Sequence, residues 1–196
     1  MYYKRSIGVL LIQKATIKSH QVMYESKFVI AWRAIITPTT CLYCSSTNGR
    51  ILSTTDPVIN TIPVHPNCKC FVEALMVIAV GTATSAGENG VDRYVALFGS
   101  LPGNYVPKEI AEAAGWKRKR GNLADVFPGK LIGGSVYKNR DHRLPEAPER
   151  IWYEADFDYT SGFRNDCRLM YSNDGLIFVT YDHYATFYEI ELENLV

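Results

Sequence analysis

The chain has 196 residues, 47% apolar and 21% charged, with a formal net charge of +1 at pH 7; that is length for one ordinary domain or two small ones, and a composition that excludes a wholly disordered protein. The near-neutral total hides an asymmetry, because residues 1–87 hold 8 basic and 3 acidic residues (+5) and residues 88–196 hold 13 and 17 (−4), which supports a division near Gly87. No run reaches the roughly 18 uninterrupted apolar residues of a membrane-spanning helix, so none is expected, and nucleic-acid chemistry in the acidic half would need a local cationic cluster.

Lys4 and Arg5 precede the apolar run Ile7–Ile12, but the run is shorter than a secretory h-region and no small-residue cleavage site follows, so no signal peptide is expected. Residues 1–40 show no clean period and end in the turn sequence Thr37-Pro38-Thr39-Thr40. Residues 41–72 carry four of the five cysteines among Asn, Ser, Thr and Pro, the composition of a small loop-rich unit held by something other than a large core. Cys41-x-x-Cys44 and Cys68-x-Cys70, with 23 residues between the pairs and His65 as a spare imidazole, offer four thiolates to a structural zinc ion. The single spacer of the second pair departs from the usual two or more. Disulfides are the rival: within-pair bridges would be strained, and cross-pair bridges need an oxidising compartment. Ala74–Val80 predicts a buried strand running into a linker over Thr82–Asn89, rich in Gly, Ser, Thr and Ala.

Beyond the linker the periods are clearer. Val91, Tyr94, Val95 and Phe98 recur at helical spacing before Gly99, which predicts a helix with its C-terminal cap. Pro107 suits a first helical turn and Gly115 a stop, so a second helix is expected over 107–114. Ile151–Asp158 alternates, placing Trp152, Glu154, Asp156 and Asp158 on one face of a strand and Ile151, Tyr153, Ala155 and Phe157 on the other. Leu169–Ser172 and Leu176–Thr180 flank Asn173-Asp174-Gly175, a hairpin in which Gly175 can take positive φ. Tyr184–Leu192 predicts a last strand, with His183 just at its start. Helices followed by consecutive antiparallel strands make this part α+β.

Glu154 sits mid-strand, where a β-branched residue would be favoured, and His183 lies at a strand end. A carboxylate and an imidazole facing one cleft supply a general base and a general acid near neutral pH, although a strand glutamate ordinarily faces solvent. The stretches GNLADVFPGKLIGGSVYKNR (121–140), EADFDYTSGFRNDCRLMYS (154–172) and TYDHYATF (180–187) resemble the barnase family of secreted bacterial ribonucleases, in order and nearly without gaps over about 89–192. The resemblance implies N-terminal helices packed on a twisted antiparallel β-sheet. It also implies metal-free cleavage of single-stranded RNA after guanosine, through a 2′,3′-cyclic phosphate that is then hydrolysed.

By matching motif, Glu154 is the expected base and His183 the expected acid, with Lys108, Arg164 and Arg168 stabilising the transition state, the two arginines through guanidinium forks that grip two phosphoryl oxygens. Asp156 is expected to orient the arginines, and Tyr184 to pack against substrate. Tyr137, Asn139, Arg140 and Asp141 belong to the loop expected to bind the guanine. Three departures stand out: the family has a glutamate at Asp141, an aspartate at Ser135 and a tryptophan at Gly175. The first casts doubt on guanine preference, the second leaves Lys108 less neutralised, and the third alters packing. Cys167 has no family role and is expected to be an inert, partly buried thiol.

AWRAIITPTTCLYCSSTNGRIL (31–52) with PVHPNCKC (63–70) resembles the end of phage Mu F-like head-morphogenesis, or minor capsid, proteins. Together the resemblances divide the chain into a partial phage-like segment over 1–87 and a ribonuclease domain over 88–196. They imply the toxin module of a prophage-type or polymorphic toxin: a monomer acting outside its own cell or delivered into target cells, held in check by an acidic inhibitor resembling barstar. The competing readings are a phage structural or accessory protein with an inactive ribonuclease-like tail, and a zinc-dependent nucleic-acid-binding module.

Overall fold

The computed structural model describes residues 14–19, 22–34, 39–48, 51–52, 57–61 and 64–192. Lys4, Arg5, the Ile7–Ile12 run and the Thr37-Pro38 half of the expected turn lie outside them. Among the described residues no helix is long and apolar enough to cross a membrane. The chain forms two compact units, Met1–Ala15 with Ser26–Val77 and Thr16–Glu25 with Ile78–Val196.

The first elements are β1 (Lys14–Ser19), β2 (Val22–Ala34), α1 (Leu42–Thr47), β3 (Ile51–Leu52) and β4 (Cys70–Ala79). Within the first unit β2 pairs antiparallel with β3 and with β4, in a register running from Lys27 opposite Val77 to Ala34 opposite Cys70. The segment expected to be loop-rich therefore contains a short helix. Cys41 starts it from an extended conformation, its sulfur accepting the Cys44 N–H as a Ser or Asp oxygen would at a helix N-cap. The buried cluster here is Cys44, Leu52 and Cys70, with Ala34, Cys41, Val58, Val64, Cys68 and Val72 packed against it. Four of those nine side chains are the cysteines themselves, so little hydrocarbon supports the unit.

The second unit adds α2 (Val91–Phe98), β5 (Tyr105–Val106), α3 (Lys108–Ala113), α4 (Leu123–Val126), β6 (Leu131–Tyr137), β7 (Trp152–Asp156), β8 (Arg168–Ser172), β9 (Ile177–Thr180) and β10 (Tyr188–Glu191). β6 to β10 pair antiparallel in chain order, and β5 adds at the β6 edge in parallel. This is the expected α+β architecture, with α2 ending at Gly99 in the left-handed region (φ 65°) and Gly175 turning the β8–β9 hairpin at φ 94°. Val106, Ala111, Trp116, Leu123 and Ile132 form a core between helices and sheet. Leu144, Trp152, Met170 and Phe178 form another.

Two expectations are corrected. The stretch read as a linker is packed into the second unit. Asp92, fully buried, accepts the N–H groups of Gly81 (2.7 Å) and Ala83 (3.4 Å) and the Thr84 hydroxyl. Tyr181 donates to the Ala83 carbonyl, and Ser85 is tied to Asp158. Small residues here allow close packing rather than slack. The last strand is also shorter than periodicity suggested, because Tyr188–Glu191 alone pairs with β9, and His183 and Tyr184 adopt positive φ (53° and 72°). Such dihedrals cannot continue a strand, so both side chains are carried by a loop.

Candidate active site

Directly opposed residues of an antiparallel pair point to the same face, so the register sorts the side chains into rows. Ser135, Glu154, Met170 and Phe178 form one row, and Asp156, Arg168 and Thr180 the next. The expected acidic face of β7 is therefore real for Glu154 and Asp156. It is not a solvated face, because Asp156 is fully buried and Glu154 half-buried.

Asp156 is held by two arginines. Arg164 donates through Nε (2.6 Å) and Nη2 (2.5 Å) to its two carboxylate oxygens, and Arg168 Nε lies 3.1 Å from Oδ1. That last contact is an ion pair without the direction of a hydrogen bond. Arg168 Nη1 is turned away, donating to the Asn165 and Cys167 carbonyls at 2.7 Å each. Burial pulls the Arg164 pKa down, but the bond and charge of Asp156 outweigh it and the net shift is upward. The fork that sequence reasoning gave to a phosphoryl group is thus already committed to Asp156. Nη1 of Arg164 remains without a hydrogen-bond partner among the described residues.

Arg164 is positioned by the loop between β7 and β8. That loop touches the chain before α4 where Gly121 (φ 60°) meets Gly162, and a Cβ on Gly121 would lie 2.8 Å from the Gly162 carbonyl carbon. Only glycine fits this approach.

Tyr184 is held over the same face by the turn after β9, with His183 next to it in that turn. The Thr180 hydroxyl donates to Asp182 (2.9 Å) and accepts the Tyr184 N–H (2.9 Å), while Asp182 also accepts the Thr186 N–H (2.8 Å). Arg143 donates to the carbonyls of Tyr184 and Ala185. The Tyr184 hydroxyl then reaches Glu154 Oε2 at 2.7 Å. Burial first, and the bond to Glu154 second, push its pKa upward, so Tyr184 remains the donor. The exposed His183 ring packs 4.7 Å from that of Tyr184. Tyr184 is therefore not strand core but the link between the carboxylate and the imidazole. Sequence reasoning missed Thr180, Asp182 and Arg143; the side chain of Asp182, two residues before Tyr184, was a legible turn signal.

Tyr137 stacks on Tyr184 (5.5 Å, 20°). Asn139 is buried in the left-handed region, and its amide brackets Leu144 in both directions, from Nδ2 to the carbonyl (2.9 Å) and from the N–H to Oδ1 (3.0 Å). Its side chain shapes the loop, and its backbone carbonyl accepts the His142 N–H (3.0 Å). Arg140 and Asp141 are exposed. Lys108 stands at the start of α3, 3.9 Å from Glu112 on its own helix, and no hydrogen bond or ion pair joins it to the arginine group among the described residues. Ser135 Oγ is buried without a partner beside Glu154. Cys167 is fully buried rather than partly so.

In the first unit the expected metal ligands come together. Cys41, Cys44 and His65 present donor atoms within 4.8 Å of one another, as do Cys44, Cys68 and Cys70, and all the cysteines are free thiols.

Residues 89–191 match the ribonuclease family. Over 102 residues, 52% of this chain, the sequence is 55% identical to a ribonuclease of Heyndrickxia coagulans, of which the match covers 94%. It is 55% identical over the same length to ribonucleases of Bacillus intermedius and Bacillus pumilus, of which it spans 63%, less than two thirds.

Proposed function

The chain belongs to the ribonuclease family through residues 89–191, and from that premise we propose that its C-terminal unit cleaves single-stranded RNA with Glu154 as general base and His183 as general acid. Glu154 takes the proton of the ribose 2′-hydroxyl, the 2′-oxygen attacks phosphorus, and His183 protonates the departing 5′-oxygen. The product is a 2′,3′-cyclic phosphate. Water then opens it with the two roles exchanged, since the imidazole left neutral by the first step is the base of the second. Arg164, through the nitrogen that Asp156 does not hold, and Arg168 face the developing negative charge, with Lys108 as the third cation. Side chains supply every proton and every counter-charge of this sequence, so no metal takes part in it.

The observation that carries this reading is the bond from Tyr184 to Glu154, because it ties the loop bearing His183 to the strand bearing the carboxylate. A base and an acid on two such elements flank a scissile phosphodiester from opposite sides. Guanosine preference is the finer part of the reading. Backbone groups at Asn139 and Arg140, with the carboxylate of Asp141, offer the guanine edge its partners, and Tyr137 offers a stacking face. We read the whole as a monomeric toxin module, delivered from its cell of origin and restrained there by an acidic inhibitor seated on the arginine-lined cleft; the phage-like stretch over 30–75 is what motivates the delivery role.

The test is cleavage of guanosine- and adenosine-containing dinucleotides in EDTA by the full chain and by Glu154→Ala, His183→Ala and Asp141→Ala variants. Cleavage lost in the first two, and a guanosine-to-adenosine ratio reduced in the third, is expected. Cleavage unaffected by either Glu154→Ala or His183→Ala removes the role assignment.

A further inference from the structure

We propose that Cys41, Cys44, His65 and Cys68 form a tetrahedral zinc site that holds the N-terminal unit together, with Cys70 as a neighbouring thiol rather than a ligand. This does not rest on the ribonuclease reading. It starts from the imidazole. His65 Nδ1 lies 2.9 Å from the Pro66 carbonyl oxygen, which can only accept, so Nδ1 carries a proton and the neutral form of this ring presents its lone pair at Nε2. That lone pair faces two sulfurs at once, Cys41 Sγ and Cys44 Sγ, each at 3.2 Å. One nitrogen acceptor between two thiols is poorly explained by hydrogen bonding alone. It is the arrangement a metal ligand requires, with the second ring nitrogen fixed by a backbone carbonyl.

The sulfurs point the same way. Cys41 accepts the Cys44 N–H and Cys68 accepts the Cys70 N–H, both at 3.4 Å, contacts that favour an anionic sulfur over a neutral one. Cys44 Sγ is 3.8 Å from Cys68 Sγ, far beyond the roughly 2.05 Å of a disulfide and close to the edge of a tetrahedron whose Zn–S bonds are about 2.3 Å. Cys44 is common to both donor groups and is the buried corner where they meet. A divalent ion at this corner would take the gathered sulfurs as thiolate ligands.

The Cys70 sulfur also lies within 4.8 Å of those of Cys44 and Cys68, but Cys70 begins β4, opposite Ala34, and counts among the buried apolar side chains with Leu52, whereas His65 Nε2 stands 3.2 Å from each of two sulfurs. A soft set of three sulfurs and one imidazole suits zinc in a structural role. The unit also has little else to hold it, since its buried cluster consists of two cysteines and one leucine.

The experiment uses the full chain, purified without chelator, dialysed and measured for metal by mass spectrometry. One zinc per chain is expected in the wild type and in Cys70→Ser, and less than a tenth of that in Cys41→Ser, Cys44→Ser, Cys68→Ser and His65→Ala. Because a ligand variant could lose metal merely by misfolding, cobalt(II) titration of the wild type and Cys70→Ser provides a second readout: both should give the same intense thiolate-to-cobalt absorption, which scales with the number of thiolates bound. Zinc retained in His65→Ala but lost in Cys70→Ser, or a cobalt band weaker by one thiolate in Cys70→Ser, overturns the ligand set. Absence of zinc in the wild type, or disulfides among these cysteines in freshly isolated protein, overturns the site itself. Ribonuclease assays in EDTA keep the two proposals separable, because cleavage that survives loss of zinc leaves the catalytic reading intact.

Discussion

In the unit of residues 78–196 the buried charged groups around the cleft are committed to protein partners, Asp156 to two arginines and Asp92 to the turn that begins the unit. Among the described residues of the unit built on 26–77 the buried polar groups are thiols, and an imidazole faces two of the four cysteine sulfurs with no carboxylate or amide among the donor groups. The contrast teaches how a site announces its needs. Where buried charges are answered by other side chains, the cleft is preorganised by the protein itself. Where sulfur and imidazole donors are gathered with no charged side chain beside them, the partner we propose is an ion.

Five substitutions and a pair of pH profiles break or sharpen this contrast. The largest effect is expected from removing the base or the acid: Glu154→Ala and His183→Ala should each lower kcat/KM for a guanosine dinucleotide by about 10²–10⁴. His183 is exposed, so the urea midpoint of that variant should stay near the wild-type value. Asp156→Ala strikes the most committed group. It leaves two buried guanidinium groups facing each other without their counter-charge, and urea unfolding should report a loss of about 3–5 kcal/mol.

Asp92→Ala strips the acceptor from Gly81, Ala83 and Thr84, with an expected cost of about 1–3 kcal/mol. Hydrogen exchange at the Gly81 and Ala83 amides should accelerate before that of β8. If those amides keep their protection, the segment is held by something other than Asp92.

The pH profiles of two acids should run in opposite directions. Burial is the main cause of the raised Asp92 pKa, so the native state binds that proton more tightly and stability falls as pH rises through the folded value. For Asp182 burial pushes up, but the Thr186 N–H and the Thr180 hydroxyl outweigh it and the net shift is downward. Its contribution is present above the ordinary carboxylate range and is lost as pH falls through the depressed value. Thermal scans of Asp92→Asn and Asp182→Asn against pH should each flatten the limb belonging to that residue. The smallest effect is expected from Ser135→Ala, which removes a buried hydroxyl without a partner; stability should change by no more than about 0.5 kcal/mol, in either direction.

The sequence by itself determined the α+β order of the C-terminal part, the helix over 91–98 with its glycine cap, the β8–β9 hairpin and the gathering of cysteine pairs, because each depends on local periodicity or spacing that neighbouring residues impose on one another. Motif resemblance carried it further, to Glu154, His183 and the arginines as a group. Only the tertiary structure decided that Asp156 lies dry between Arg164 and Arg168, that Tyr184 bonds to Glu154 from a loop rather than a strand, and that small residues over 82–89 are packed rather than free. It alone set His65 Nε2 against two sulfurs. These outcomes depend on register across strands and on hydrogen bonds between residues tens of positions apart, and a chain read one window at a time contains neither.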